Sequence, residues 1–460
     1  MAIIFALIAR LAHLAPWLTR LAAKLMVNPM RHLAGKPFER KLLVYQLPER
    51  QLALVNDPAL VQQVLLDRGG VFPKSGVVGA VLRPMIGAGV FGQPGGELVR
   101  ARRRLFIGAL AQVPDAEILE ITATTTTAYL SRWLAQGAPV GICSALSRLT
   151  IDIVSRATLG HTFSERESER FVALFFAYHQ QASPLLLVLG RQSEAATESM
   201  VRNMGLHDIG AAMRALVQQR FVAPLAAREP EALAAPFGSA LAQDGGCSAE
   251  AMLDEIAVML LAGHETTAST LSWLFWELAN RRSEQEAAAF VLGGGDPGHE
   301  RAGPWRGATP AQLGYALAQE ALRLYPPIAF FLREALQAQE FRGKAIAAGS
   351  FLMAAPWALH RHRRLWQQAD DFLPGRWLEP EWTPVSGSYV PFGMGPRACP
   401  GQRFANIEMQ EIIRQVLCAC VLAPVDADRP KPLGSLTSRP DRDLLLGLQA
   451  RPAQNQRAEP

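Results

Sequence analysis

The chain has 460 residues, 49% of them hydrophobic and 19% charged, with a formal net charge of +5. This composition supports a large buried core and excludes a disordered chain, and so modest a charge gives no reason to expect nucleic acid as a partner. No heptad run and no repeat of fixed period is present.

Residues 1–40 are apolar and basic, with Arg10, Arg20 and Lys24 interrupting the apolar run and Glu39 the first acid. No charge-free stretch reaches the roughly 18–20 residues of a membrane span. This segment is expected as an amphipathic helix on an anionic membrane surface or as a helix packed on its own domain. Residues 42–47 and 51–55 read as strands joined at Pro48-Glu49. Asn56-Asp57-Pro58 opens a helix, a capping residue before proline in its first turn. Most of 58–330 is helical in character, broken at 72–96 and 293–310.

Residues 256–280 form a long helix candidate, with Ser248 as a cap and Glu250 and Asp254 near its start. It is apolar nearly all round, so it belongs in the interior. Glu265 near its middle, and five Ser/Thr between Thr266 and Ser272, make it a poor membrane span. Small Ala262 and Gly263 leave space for a ligand beside the helix. Thr266 can divert a backbone hydrogen bond, and an acid beside an alcohol can pass protons into a buried site. His264, in the same run, is read as non-ligating.

Glu320 and Arg323 stand at i and i+3; alone, such a pair is an ordinary ion pair of about 0.2–0.5 kcal/mol. After Pro326-Pro327 the pattern turns irregular, with short strands expected near 328–333, 341–346, 351–355 and 444–448. The five cysteines, Cys143, Cys247, Cys399, Cys418 and Cys420, form no CxxC pair and are odd in number, which suits a reduced, cytoplasmic setting. Cys418 and Cys420 read as core residues of an apolar helix, and 451–460 as a loose tail. A mostly helical body with a small β portion is an α+β layout.

The richest stretch is Phe392-Gly393-Met394-Gly395-Pro396-Arg397-Ala398-Cys399-Pro400-Gly401. A lone cysteine framed by glycines and followed by a helix suits a thiolate presented to a metal or cofactor, and Gly393, Gly395 and Gly401 are expected to supply unusual backbone conformations and close ligand approach. The stretch closely resembles the heme-ligating signature of the cytochrome P-450 (heme-thiolate monooxygenase) superfamily. Ala262-Gly263-His264-Glu265-Thr266-Thr267, then Glu320-Ala321-Leu322-Arg323, then Phe372-Leu373-Pro374-Gly375-Arg376-Trp377, precede it in the family's order. The resemblance runs from about residue 42 to residue 448, and the arginine-rich usage, 40 Arg to 6 Lys, fits a bacterial gene.

The resemblance implies one mainly α fold over 41–450, with a long buried helix above heme b and the cysteine loop beneath it. It implies Cys399 as the iron ligand; Phe392, Gly393, Gly401 and Ala262 around the heme; and Glu265 with Thr266 as the acid–alcohol pair that activates O2. Glu320, Arg323 and Arg376 become a structural network behind the heme. Arg103, Arg333 and Arg397 become propionate partners, although Arg102 and Arg103 are interchangeable at this level. Val99 stands where the family commonly has Trp or His, and His362 where an acid is more usual.

The resemblance further implies that 77–90, parts of 171–207, 258–266, 328–332 and 433–437 line the pocket, Val77, Val78, Ile328, Phe330, Phe331 and Leu332 among them, and their apolar character suits a terpenoid, fatty acyl, steroid or polyketide-like substrate. Electrons are expected from a separate ferredoxin or flavodoxin, docking on a basic face of 100–104, 361–364 and Arg403. The expected state is a cytoplasmic monomer, with peripheral contact to the inner membrane face through 1–40. The rival expectations are a heme-thiolate peroxygenase or isomerase, and a non-catalytic heme-binding sensor.

Overall fold

The computed structural model describes residues 28, 30, 35–47, 50–183, 194–244 and 247–452. The expectations for most of 1–34, for the turn at Pro48-Glu49, for the pocket segment 184–193 and for most of the tail lie outside the described residues.

Strands β1 (Leu42–Gln46) and β2 (Gln51–Val55) pair antiparallel. Asp57 caps α1 (Pro58–Leu66), accepting the Ala59 N–H at 3.0 Å, with Pro58 in the first turn. The stretch 72–96, expected as a break, contains α2 (Gly76–Ile86). Ser75 caps it, and Val81, Leu82, Met85 and Ile86 bury one face at helical spacing, which overrides the glycines and Pro84. There follow α3 (Glu97–Gln112), α4 (Asp115–Gln136), the two-residue β3 (Val140–Gly141), α5 (Ile142–Leu159), α6 (Glu165–Gln181), α7 (Glu194–Asn203), α8 (Leu206–Val217) and α9 (Pro236–Gln243).

Helix α10 (Ala249–Ala279) runs 31 residues through the centre. It starts earlier than residue 256 because the Ser248 hydroxyl accepts the Ala251 N–H at 3.2 Å and holds the first turn. Its most extensive neighbour is α5. Gly263 belongs to that contact: a Cβ there would fall 2.7 Å from a Val154 methyl, so its smallness serves helix packing and not, as expected, ligand space.

After α11 (Arg282–Leu292) and α12 (Pro310–Leu324) come short strands. The strand expected at 328–333 is shorter and later, β4 (Phe331–Glu334), because Pro326-Pro327 delays regular pairing. The single strand expected at 341–346 is a hairpin, β5 (Gln339–Phe341) and β6 (Lys344–Ile346), turned at Arg342 and Gly343, both with positive φ. β7 (Phe351–Ala354) pairs parallel with β2 and antiparallel with β4, giving the sheet order β1-β2-β7-β4.

Helix α13 (Gln402–Ala419) packs on α4 and α12 and ends before Cys420, which opens β8 (Cys420–Pro424) instead of continuing a helix. β9 (Pro432–Gly434) and β10 (Ser438–Pro440) pair, and β11 (Leu445–Ala450) joins β3 to β8. The main apolar core gathers around α5, α10, α12 and α13, and a second one lies among α2, α6, α8 and the first half of α10. Among the described residues, no helix is long and apolar enough to cross a membrane.

The segment between α2 and α3 is tied to the start of α10. The Asp254 carboxylate accepts the Ala88 N–H at 2.8 Å and an Arg214 N–H at 2.7 Å, and Glu255 accepts the Val90 N–H at 3.1 Å. A Cβ at Gly87 would fall 1.9 Å from Asp254 Oδ1, and one at Gly89 would fall 2.5 Å from a Val258 methyl.

Candidate active site

The cysteine loop is seated on the end of α1. Gly393 and Gly395 have φ of 71° and 69°, and a Cβ on Gly395 would fall 2.7 Å from the Leu65 carbonyl oxygen. The loop closes with the Cys399 N–H donating to the Phe392 carbonyl at 2.8 Å. Gly401 departs from expectation: its φ is an ordinary −90°, and a Cβ there would meet the Cys399 sulfur at 3.9 Å, a normal contact. The protein's own packing does not demand that glycine, so its open side is left for something flat to approach.

Cys399 is exposed, yet it is closely ringed by protein. The two facts agree if the sulfur lies on the wall of a recess, and the exposure decides that it is reachable. Burial pushes its thiol up, while the Gly401 N–H and the Arg103 charge pull it down. The other cysteines lack this combination; burial raises Cys143 to about 12.

Around the recess stand four cations. Arg103 donates to the Ala398 carbonyl at 2.7 Å, Arg397 to the Pro94 carbonyl at 2.6 Å, Arg333 to its neighbour Leu332 at 3.4 Å, and Lys74 to the Phe91 carbonyl. Lys74 joins through an isolated bridge to Arg333, and its ammonium lies 3.8 Å from the Phe91 ring centroid. Among the described residues, none of the four has a carboxylate within ion-pair distance. They repel one another: burial, then Arg397, Arg333 and Arg103, lower Lys74 to about 7, and burial, then Arg397, lowers Arg333 to about 10. The Lys74 side chain keeps partial exposure, but its charged end is closed in.

Sequence reasoning missed Lys74, a lone base in a loop; only its pairing with Arg333 reveals it. Arg102 and Arg103 now separate. Arg102 is buried against Asp244, with Glu255 3.9 Å away, and Arg103 faces the cysteine loop.

On α10, Ala262 is exposed and Gly263 and Thr266 are half-exposed, while Leu261, His264, Glu265 and Thr267 are buried. This stripe is the helix's open face. The Thr266 hydroxyl donates to the Ala262 carbonyl at 3.0 Å, which leaves its lone pairs free. Glu265 does not bond to Thr266. Fully buried, its Oε1 accepts the Thr437 hydroxyl at 3.1 Å, and burial pushes it up to about 7 against the pull of Arg439 and Thr437. His264 is sealed among Phe171 and Phe175, with Nδ1 2.7 Å from the Leu260 carbonyl, and burial lowers it to about 4.

Glu320 and Arg323 are no surface pair: both are completely buried. Arg323 meets Glu320 at 2.9 and 2.8 Å and donates to the carbonyls of His360, Ala369 and Asp371. Glu320 also accepts from the Leu373 N–H and the Trp377 indole, both at 2.8 Å, and from Arg376 at 3.3 Å.

Of the expected pocket residues, Val77, Val78, Ile328, Phe330 and Phe331 are half-buried, and a Cβ on Gly393 would lie 3.4 Å from the Phe331 ring. Leu332 is not on an open face: it is buried in the main core opposite Met353, since alternation along β4 turns it away from the side of Phe331 and Arg333.

The basic face is smaller than expected. Arg361 is buried 3.7 Å over Trp357, because its stem and planar charge pack on aromatic rings. Arg363 pairs with Glu39 at 3.0 Å, and Arg403 with Asp115 and the Val113 carbonyl. Arg100 and Arg104 remain exposed on α3. A recess of about 450 Å³ between α4, α5 and α6, lined by Tyr129, Trp133 and Arg148, holds none of the residues above. The thiol and the cations gathered beside it, and not cavity size, mark the candidate site.

Among known proteins, the chain is similar to cyclooctatin synthase of Streptomyces melanosporofaciens, at 29% identity over 90% of each chain. It is 27% identical to cyclooctat-9-en-7-ol 5-monooxygenase of the same organism, over 86% of each. In fold it matches CYP175A1 of Thermus thermophilus with a TM-score of 0.69 and 24% identity, over 92% of this chain and 96% of that one. With residues 14–446 matching the Cytochrome P450 family model as well, the chain belongs to the cytochrome P450 family and is a monooxygenase.

Proposed function

We propose that this monooxygenase holds heme b through the Cys399 thiolate and inserts one oxygen atom of O2 into an apolar small molecule of terpenoid type, using electrons from a separate acidic ferredoxin or flavodoxin. The observation that carries the reading is the exposed Cys399 beside four cations that, among the described residues, have no carboxylate within ion-pair distance. That donor set fits heme: a soft sulfur for iron, positive charge for two propionates, and an open glycine edge at Gly401 for a flat ring. When bound, the heme–thiolate pair supplies the activation of O2.

The residues divide the remaining work. Lys74, Arg103, Arg333 and Arg397 orient the anionic edge. Ala262 keeps the helix face low, and Thr266 presents a hydroxyl with free lone pairs. Glu265 is the acid of the pair, although its hydrogen bond runs to Thr437. Val77, Val78, Ile328, Phe330 and Phe331 form an apolar wall that excludes water. The names of the two Streptomyces relatives support a terpenoid-type substrate. The exposed arginines Arg100 and Arg104, with exposed Leu98 and Ile107 on the same helix, support docking of an acidic electron donor. Free cysteines support a reduced cytoplasmic setting, with residues 1–40 able to touch the inner membrane face.

The test is the ferrous–carbonyl absorption spectrum, followed by turnover of a terpenoid panel with a surrogate ferredoxin system. The red-shifted thiolate band is expected in the parent and absent in Cys399→Ala. Its persistence in that variant refutes the ligand assignment. A normal band with no oxygenated product from any terpenoid refutes the substrate reading.

A further inference from the structure

The recess between α4, α5 and α6 shares no residue with the cysteine loop or the open stripe of α10, and no step of the proposed reaction uses it. Its volume of about 450 Å³ falls within the range of small-molecule sites, about 300–1,000 Å³. It opens to solvent beside exposed Thr124, Ala128 and Arg132. Its inner wall is aromatic: Tyr129 and Trp133 of α4, and Phe163 of the turn between α5 and α6, are all buried.

The walls are fixed by contacts of their own. The Tyr129 hydroxyl donates to the Arg148 carbonyl at 3.1 Å and ties α4 to α5. A capping box of Ser164 and Glu167 sets the start of α6. Arg220, just past α8, donates through Nε to the Thr162 carbonyl at 2.5 Å. The Phe163 ring is held between Phe171 and Phe221, with centroids 5.2 and 4.9 Å away. Two polar groups of residues that line the recess are nevertheless unanswered. The hydroxyl of Ser168, a residue 5% exposed, and the Arg148 Nε–H have no hydrogen-bond partner.

The charges of the recess, by contrast, are already matched. Arg148 pairs with Glu169 at 2.7 Å, Arg132 with Glu165 at 3.8 Å, and Arg156 with Asp152. An ionic occupant gains little where each cation has its carboxylate. What the wall lacks is an oxygen that accepts from the Arg148 Nε–H and exchanges a hydrogen bond with the Ser168 hydroxyl, on an apolar body that covers the rings. A hydroxyl group has both capacities. We propose that this recess is a second ligand site, for an uncharged cyclic apolar molecule whose hydroxyl group answers Ser168 and Arg148. An alcohol on an apolar skeleton is also what oxygen insertion forms from a terpenoid. That link to product rests on the terpenoid monooxygenase reading; the site itself does not.

An occupant touches three helices at once, so it fastens the first turns of α6 to α4 and α5. The test titrates the heme-loaded protein with menthol, a cyclic terpenoid alcohol, by calorimetry. Heme absorbance, followed in the same samples, reports entry to the heme side. p-Menthane, which lacks the oxygen, and p-menthane-3-carboxylate, which carries a charge in its place, are the controls. Ser168→Ala removes the hydroxyl partner. Ala128→Phe fills the recess from an exposed position on its wall. Each variant is first checked for the ferrous–carbonyl band, which establishes the fold.

The expected result is a menthol-binding event silent in heme absorbance and absent in Ala128→Phe. Ser168→Ala is expected to weaken menthol about fivefold and to leave p-menthane unchanged. No silent event in the parent means that the recess holds water only, and it overturns the site. An event that survives Ala128→Phe places the binding elsewhere and does the same. Equal loss of menthol and p-menthane in Ser168→Ala, loss of neither, or a carboxylate that binds more tightly than menthol overturns the ligand class. Where a variant loses the band, hydrogen–deuterium exchange of the parent decides. Slower exchange at 163–170 with menthol supports the site, and unchanged exchange there overturns it. If a terpenoid panel yields no alcohol while the silent event stands, only the link to product falls.

Discussion

The molecule holds two charge clusters, one fully buried around Glu320 and one half-buried beside the cysteine loop, and they are built on opposite principles. In the Glu320 cluster both carboxylate oxygens and most guanidinium N–H groups of Arg323 have partners inside the protein. In the Lys74 cluster four positive groups share a recess with carbonyls as their only protein hydrogen-bond acceptors among the described residues, and lower one another's proton affinity. The first is complete and needs nothing from outside. The second is frustrated until an anion enters. What separates them in kind is whether their charges are satisfied within the protein.

The comparison breaks most visibly at Glu320. Glu320→Ala strands Arg323 in the core and should destabilise the fold by about 3–5 kcal/mol, measured by chemical denaturation. A loss under about 1 kcal/mol would mean that the cluster is not structural. At the other cluster the sign should depend on the ligand. Arg333→Leu should leave the heme-free protein as stable or slightly more so, because it relieves repulsion, while heme passes to a scavenger about tenfold faster. Equal destabilisation with and without heme would erase the distinction.

Lys74 sharpens the comparison through pH. In the heme-free protein its folded value is about 7 against an ordinary 10.5, so between those values the unfolded chain holds more protons. Stability should therefore rise as pH climbs from about 7 towards 10.5, and Lys74→Met should flatten the rise. The smallest effect is outside both clusters: Arg100→Glu should slow reduction by a ferredoxin about threefold at low salt and little at high salt, seen by stopped-flow, with substrate binding unchanged.

Much of this was legible from residues alone. Asp57-Pro58 and Ser248 are local signals, and their hydrogen bonds span two or three residues, so the helix starts could be read. The order of the motifs carried the family. What stayed hidden depends on distant partners. Glu265 and Thr437 are 172 residues apart, and no local pattern ties an acid on one helix to a hydroxyl on a three-residue strand's edge. Arg361 looked like surface because four basic and imidazole neighbours surround it in the chain, yet Trp357 and Tyr325 cover it. Helix α2 was obscured because glycine and proline spoke louder than the spacing of Val81, Leu82 and Met85. Gly263 was credited to a ligand when Val154 claims its space.

The stitching of the 87–90 segment to the first turns of α10 bears on how such an enzyme can change its diet. Gly87 and Gly89 admit no side chain without pushing Asp254 or Val258 out of place, and Ala88 and Val90 are held through their backbones. A side chain at either glycine would have to displace a helix that carries much of the core. Val77, Val78 and Phe330, by contrast, are half-buried positions with room to change. Glycine is therefore fixed at 87 and 89 by packing, while side-chain exchange at Val77, Val78 and Phe330 meets less resistance.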